Sequence, residues 1–248
     1  LDKLGVNTIW ISPIVDNIKH DVRFDNPEGH SYYAYHGYWA NNFGELNPHF
    51  GSMEDFHQLI DSAHERGIKI MVDVVLNHTG YGLKEIDGTV ANPPAGYPTD
   101  ADRARFGSLL RQGSNVGTDE VVGELAGLPD LKTEDPAVRQ AIIDWQTDWI
   151  EKSRTANGNT IDYFRVDTVK HVEDATLMAF KNELTKIMPE HKMIGEFWGG
   201  SADQNGGYLE SGMMDSLLDF GFKDIAHNLV NGKVKAANDA LIARNEKI

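Results

Sequence analysis

A unit that recurs along the chain constrains its fold more than any other feature of the sequence. Each copy joins a segment with helical spacing of apolar residues to a short apolar run rich in β-branched residues. In the clearest copy the helical spacing extends from Phe56 to Ala63, Gly67 follows, and residues 68–75 form the apolar run. Because helices that alternate with buried strands return the chain to the same end of a sheet, the pattern predicts a parallel sheet with both faces covered.

Five apolar runs are predicted as strands, and they cover residues 6–13, 68–75, 161–167, 192–197 and 216–220. A complete (β/α)8 barrel takes about 250 residues before insertions, whereas here five strands are spread over 248 residues. We therefore predict an α/β fold in the form of an incomplete (β/α)8 TIM barrel. The alternative is an intact doubly wound sheet of five strands.

A long irregular stretch separates the second predicted strand from the third. Residues 79–127 are dense in Gly, Pro, Asp and Asn, and the stretch is too long for an ordinary connection. We predict that it forms a small inserted loop domain. The predicted division of the chain is a barrel segment over 1–78, the inserted loop domain over 79–131 and a second barrel segment over 132–248.

Charge and composition exclude several classes of partner and chemistry. The chain has 38 acidic and 23 basic side chains and a net charge of −15, which disfavours binding to a phosphate backbone. No apolar run approaches the roughly 18 residues of a membrane helix, so we expect neither nucleic acid nor membrane as a partner. The sequence has no cysteine, which excludes disulfides, thiolate metal sites and a cysteine nucleophile.

Polar residues close several of the predicted strands, at the ends where parallel α/β proteins collect their chemistry. Arg165 and Asp167 share one face of a strand because side chains alternate, and a neighbouring guanidinium favours an ionised carboxylate. Glu196 closes the next strand beside Phe197 and Trp198, an apolar setting that raises the pKa of a carboxylic acid. Two carboxylates in unlike environments can act as nucleophile and acid, as in glycoside hydrolysis.

Aromatic side chains crowd the loop that follows the first predicted strand. Flat amphipathic rings can stack on sugar faces while their polar tips form hydrogen bonds. We predict that Tyr38 and Tyr35 contact a substrate and that the other rings pack the loop, which are Tyr32, Tyr33 and Trp39.

The histidine after the second predicted strand, His78, has three interpretations: a metal ligand, a hydrogen-bond donor to a sugar, or a loop histidine. A zinc site is disfavoured, because no HExxH pattern and no second histidine at helical spacing occur. Asn77 and Asp130 stand at the two boundaries of the irregular stretch. Their oxygens suit a hard cation such as calcium, which would tie the inserted domain to the barrel.

In combination, these motifs resemble the α-amylase family of glycoside hydrolases. The segments that carry the resemblance are residues 5–14, 35–39, 73–78, 128–131, 164–171 and 195–198. They look like the family's second barrel strand, its substrate-stacking loop, its third strand, a short motif near the end of its inserted domain, and its fourth and fifth strands. The resemblance therefore implies that the chain carries barrel strands two to six, with the loop domain inserted after the third.

The resemblance also implies roles for particular residues. Asp167 would attack the anomeric carbon, Glu196 would protonate the departing glycosidic oxygen, and Arg165 would orient and ionise Asp167. The implied cofactor is calcium, held by the side chains of Asn77 and Asp130 and by the backbone carbonyl of His171. The substrate-binding residues would be Tyr35, Tyr38, His78, Lys170 and Trp198.

We therefore expect a secreted, retaining hydrolase of α-1,4 bonds in starch-like α-glucans. Three alternatives remain: a transglycosylase or α-1,6-acting member of the family, a non-catalytic glucan-binding member, and metal-dependent hydrolysis through His78 and Asp73. The family's third catalytic carboxylate follows a His-Asp pair that is absent from residues 220–248. We expect that carboxylate beyond Ile248, and we expect residues 1–248 alone to be inactive.

Overall fold

The computed structural model describes residues 1–22, 32–84, 98–113 and 116–247. In these ranges the strands are β1 (Thr8–Ile11), β2 (Val15–Asn17), β3 (Ala40–Leu46), β4 (Lys69–Val74), β5 (Tyr163–Val166), β6 (Lys192–Gly195) and β7 (Ser216–Leu217). The α-helices are α1 (Met53–His64), α2 (Asp100–Phe106), α3 (Pro136–Lys152), α4 (Asp174–Ile187), α5 (Phe220–Val230) and α6 (Val234–Asn245).

The five predicted strands are confirmed and form one parallel sheet in the order β1-β4-β5-β6-β7. Each crossover moves the chain one position further in the same direction. A doubly wound sheet reverses its strand order at a switch point, whereas a barrel does not. The order therefore favours the barrel over the alternative of an intact doubly wound sheet.

The register of this sheet brings polar residues of different strands to the same level. Asp73 of β4 lies opposite Arg165 of β5, and Arg165 lies opposite Ile194 of β6. Because parallel strands end at one edge of the sheet, Asp167 and Glu196 follow their strands at that same edge.

Local sequence signals account for the helix boundaries. Helix α1 begins after Ser52, whose hydroxyl accepts a hydrogen bond from the Asp55 amide in a capping box. Helix α3 begins at Pro136, a residue that suits the first turn, after the Asp135 side chain caps the Ala137 amide. Helix α5 begins at Phe220, after the Asp219 carboxylate, which accepts a hydrogen bond from the Phe222 amide.

Some elements escaped the sequence analysis. Strands β2 and β3 form a separate antiparallel pair with register shifts at three-residue β2. Helix α2 has only seven residues, and the apolar residues of α6 do not line one face. The loop domain predicted over 79–131 falls partly outside the described residues, so its bounds stay a prediction.

The core lies between the sheet and the helices that cover it. The largest completely buried side chains include Phe164 of β5 and Phe180 of α4, whose rings stack 6.1 Å apart. The Trp149 indole of α3, a helix that packs against α4, donates to the Phe43 carbonyl at 2.8 Å. None of the helices in the described ranges has the length and apolarity needed to cross a bilayer.

Replacement of Phe180 by alanine tests this packing. We expect Phe180→Ala to lower the free energy of unfolding by about 3–5 kcal/mol, because it removes a buried ring and leaves a cavity. Met178→Ala, at a position of the same helix that is 43% exposed, is the matched control and should cost only about 0.5 kcal/mol. Equal losses of stability in urea denaturation would contradict this assignment of the core.

Candidate active site

The candidate active site is built around one buried guanidinium. The Nη1 atom of Arg165 lies 2.9 and 3.1 Å from the two oxygens of Asp73 and 2.6 Å from Oδ1 of Asp167. Its Nη2 atom lies 3.0 Å from Oε2 of Glu196. Three carboxylates from three neighbouring strands therefore share one cation. The predicted contact between Arg165 and Asp167 is present.

Asp73 is the member of this cluster whose role the sequence analysis missed. Its Oδ2 atom also accepts hydrogen bonds from the Tyr38 hydroxyl at 2.7 Å and from the Trp10 indole at 3.2 Å. Burial raises the pKa of Asp73 to about 6, although the Arg165 charge opposes that rise. The available signal was an acidic residue within an otherwise apolar strand.

Glu196 is held by two hydrogen-bond donors. Its Oε2 atom accepts from Arg165 at 3.0 Å and from the backbone N–H of Thr168 at 3.1 Å. Burial raises the pKa of Glu196 above its ordinary value, and the Arg165 charge opposes the rise. The direction predicted from its apolar neighbours is confirmed.

Thr168 reaches Glu196 through an unusual backbone conformation. Its φ of 43° lies in the left-handed region, which is strained for a β-branched residue. Such strain is concentrated at functional sites, where the surrounding structure compensates for it. Here the strained residue directly follows Asp167 and turns its amide toward Glu196.

Tyr38 and His78 line the same region. Burial raises the pKa of the Tyr38 phenol, and its ring stacks on His36 at a centroid distance of 5.7 Å. The Nε2 atom of His78 lies 3.1 Å from the Tyr38 carbonyl, and its Nδ1 atom lies 3.1 Å from the Asn77 side chain. Burial lowers the pKa of His78 to about 4, so this imidazole is neutral at pH 7. Both of its nitrogens face protein partners.

The other predicted substrate residues contact neighbouring aromatic rings. Tyr35 is 83% exposed and its ring meets that of His36. Trp198 is 68% exposed and its ring lies 5.0 Å from that of Phe220. The Lys170 ammonium sits over the Phe197 ring, 4.3 Å from its centroid. Their roles in substrate binding stay predictions.

The three predicted calcium ligands are brought together. The Asn77 NH2 group donates to Oδ1 of Asp130 at 3.1 Å and to the backbone carbonyl oxygen of His171 at 2.8 Å. Both Asn77 and Asp130 are completely buried. Burial raises the pKa of Asp130 to about 7, although Arg111 opposes the rise by donating to its other oxygen at 2.7 Å.

Calcium binding would need the Asn77 amide to turn over. In the structure its NH2 group faces Asp130 and His171, and its oxygen faces Nδ1 of His78. The two ends of an amide have nearly the same shape, and a neutral His78 that donates from Nε2 to the Tyr38 carbonyl can accept at Nδ1 from an NH2 group. The turned amide would direct the Asn77 oxygen toward the oxygens of Asp130 and His171.

With the amide turned over, the oxygens of Asn77, Asp130 and His171 would be three ligands of the kind that calcium prefers, so this donor set fits calcium. Within the described ranges, no three His, Asp or Glu side chains are placed to share a metal ion. A cation at this place would therefore rely on amide and carbonyl oxygens as well as on the Asp130 carboxylate.

Comparison with known proteins agrees with the geometry. A family model described as alpha amylase, catalytic domain, matches residues 1–108 and 119–246. The periplasmic alpha-amylase of Escherichia coli (strain K12) is 28% identical over 93% of this chain and 44% of its own length. A cyclomaltodextrin glucanotransferase of Bacillus licheniformis is 34% identical over 91% of this chain and 31% of its own length. The chain thus spans less than half the length of these curated relatives.

Solved structures show the same relation. An alpha-amylase from Geobacillus thermoleovorans, in complex with acarbose, is 28% identical with a TM-score of 0.67, over 90% of this chain and 43% of that one. The cyclomaltodextrin glucanotransferase CldA is 27% identical with a TM-score of 0.76, over 99% of this chain and 51% of that one. From the family match and the strand order together, we conclude that the chain belongs to the alpha-amylase family and forms part of its (β/α)8 catalytic domain.

Proposed function

We propose that the protein containing this chain is a retaining glycoside hydrolase that cleaves α-1,4 bonds of starch-like α-glucans. The observation that carries the proposal is that Asp167 and Glu196 share one guanidinium, with contacts of 2.6 Å to Asp167 and 3.0 Å to Glu196. Inverting enzymes separate their carboxyl groups by about 6.5–9.5 Å to admit a water, whereas retaining enzymes bring them to about 5–5.5 Å. The guanidinium that both acids contact keeps their carboxyl groups near each other, which supports retention of configuration.

The environments of the two acids support a division of roles. The Oε2 atom of Glu196 accepts two hydrogen bonds, from Arg165 and Thr168, so a proton on this carboxyl group belongs on Oε1. Glu196 would give that proton to the glycosidic oxygen as Asp167 forms a bond to the anomeric carbon and the glycosidic bond breaks. Water would then lose a proton to Glu196 and displace Asp167, which releases the sugar with retained configuration.

The substrate class rests on the relatives and on charge. The named relatives include amylases and a cyclomaltodextrin glucanotransferase, and an uncharged glucan suits a protein with a net charge of −15. Transglycosylation is the second candidate, supported by the relative of that name, because it differs only in the acceptor that displaces Asp167. The periplasmic relative supports a location outside the cytoplasm. The inactivity expected of residues 1–248 alone stays a prediction.

Substitution of the acid tests the proposed mechanism. We expect Glu196→Gln in the full-length protein to reduce kcat on starch by about 10²–10⁴-fold, because the amide cannot deliver a proton. Glu210→Gln changes an exposed glutamate and is the control. Release of reducing ends is the measurement. Starch binding without hydrolysis by the unmodified protein would instead favour a non-catalytic glucan-binding role.

Removal of the shared guanidinium tests the electrostatic basis of the site. We expect Arg165→Gln to lower the free energy of unfolding by about 3–5 kcal/mol, because it leaves buried carboxylates without their cation. Arg154→Gln breaks an ion pair with Glu151 on the surface and should cost less than about 1 kcal/mol. If thermal unfolding shows the same small loss for both variants, the carboxylate cluster does not depend on Arg165.

We also propose that Asn77, Asp130 and His171 hold calcium. The ion would be bound by oxygens of these three residues once the Asn77 amide has turned over, and it would join the end of β4 to the segment around Asp130. Its role would be to stabilise this junction, since the donor set lies apart from the carboxylates that contact Arg165.

A calcium titration of thermal stability tests this site. Because a ligand that binds only the folded state raises its stability, millimolar calcium should raise the Tm of the chelator-treated protein. The increase should disappear in Asn77→Ala and persist in Asn231→Ala, a control at an exposed position. An unchanged Tm across the titration would contradict calcium binding.

A further inference from the structure

Arg111 contacts the proposed calcium ligand Asp130 through the carboxylate oxygen that does not face Asn77. Its Nε atom donates to Oδ2 of Asp130 at 2.7 Å, and its Nη2 atom lies 2.8 Å from both oxygens of Glu134. The backbone N–H of Arg111 donates to the Asp130 carbonyl, also at 2.8 Å. The guanidinium is only 14% exposed, so these contacts hold it in one place.

Arg111 thereby contacts one of the two oxygens of Asp130, which is the only charged ligand that the sequence and the structure assign to the calcium site. Calcium binds carboxylates through one or both oxygens, and its affinity rises with the number of charged ligands. Oδ1 of Asp130 faces the Asn77 amide, whereas Oδ2 accepts a hydrogen bond from Arg111. Arg111 therefore opposes two-oxygen binding and offsets the charge that attracts calcium. Glu134 draws part of the guanidinium charge away.

Backbone hydrogen bonds around Asp130 join three segments of the chain without a metal. The Thr79 amide donates to the Pro129 carbonyl, and the Leu131 amide donates to the Asn77 carbonyl. On the other side, the Lys132 amide donates to the Leu109 carbonyl. The Arg111 guanidinium adds a positive charge beside the buried Asp130 carboxylate.

We propose that Arg111 is a built-in counter-cation of Asp130, which holds this junction together in the calcium-free protein and keeps the calcium affinity low. The proposal rests on the calcium site proposed above. It deepens that proposal by stating that calcium can bind and dissociate, while Arg111 keeps the junction together when calcium is absent.

Two substitutions separate an electrostatic role from a structural one. Both Arg111→Gln and Glu134→Gln break the contact between these two side chains, but they change the local charge in opposite directions. We expect Arg111→Gln to bind calcium at least about tenfold more tightly and Glu134→Gln at least about threefold more weakly, since like charges repel and opposite charges attract. A merely structural clamp would shift both affinities in the same direction.

The experiment is a calcium titration by calorimetry on the full-length protein at pH 8.5, where a proton competes less with calcium for Asp130. Arg105→Gln is the matched control, because Arg105 donates to the Asn41 carbonyl and pairs with Asp102 away from the cluster. Its calcium affinity should equal that of the unmodified protein. Equal calcium affinities in all variants, or shifts of the same sign in Arg111→Gln and Glu134→Gln, would overturn the proposal that Arg111 acts as a counter-cation.

Stability in chelator is the second measurement. We expect Arg111→Gln to lose several degrees of Tm in chelator and to recover most of the loss with calcium, whereas Arg105→Gln shows no such recovery. If no variant binds calcium, the calcium proposal and the affinity role both fail. If calcium binds but the Tm of Arg111→Gln in chelator is unchanged, the holding role of Arg111 fails and the calcium proposal stands.

Discussion

The buried guanidinium of Arg165 is the interaction on which the rest of the site depends. It offers one positive charge to three carboxylates, those of Asp73, Asp167 and Glu196. With all three ionised the cluster would carry an excess of buried negative charge, which is costly. The raised pKa values of Asp73 and Glu196 reduce that excess, because a proton replaces the missing cation. The same balance that makes the cluster stable supplies an acid able to give up a proton.

The fold makes this balance possible by its geometry. Parallel strands in chain order end at one edge of the sheet, so side chains that are far apart in sequence meet there. Arg165 and Asp73 are 92 residues apart along the chain and 2.9 Å apart in space. The helices and the buried core keep these strand ends in register. The strained backbone of Thr168 is a local cost of bringing an amide to Glu196.

A second arginine, Arg111, also places a positive charge beside a buried carboxylate, at the junction around Asp130. A continuous series of contacts connects the two places: Asp130 meets Asn77, Asn77 meets His78, His78 meets the Tyr38 carbonyl, and the Tyr38 hydroxyl meets Asp73. A change in the charge at Asp130 therefore occurs close to residues that contact Tyr38, whose hydroxyl meets the carboxylates. Both places combine a buried carboxylate with a guanidinium.

The sequence by itself determined the five strands, because short runs of β-branched residues buried on both faces have few alternatives. It also determined that Arg165 contacts Asp167, since residues two apart in a strand share a face, and that apolar neighbours raise the pKa of Glu196. Only the tertiary structure decided that Asp73 joins this cluster, that β2 pairs with β3, and that Arg111 contacts Asp130. These contacts depend on register and on the path of long connections, and local periodicity contains no information about either.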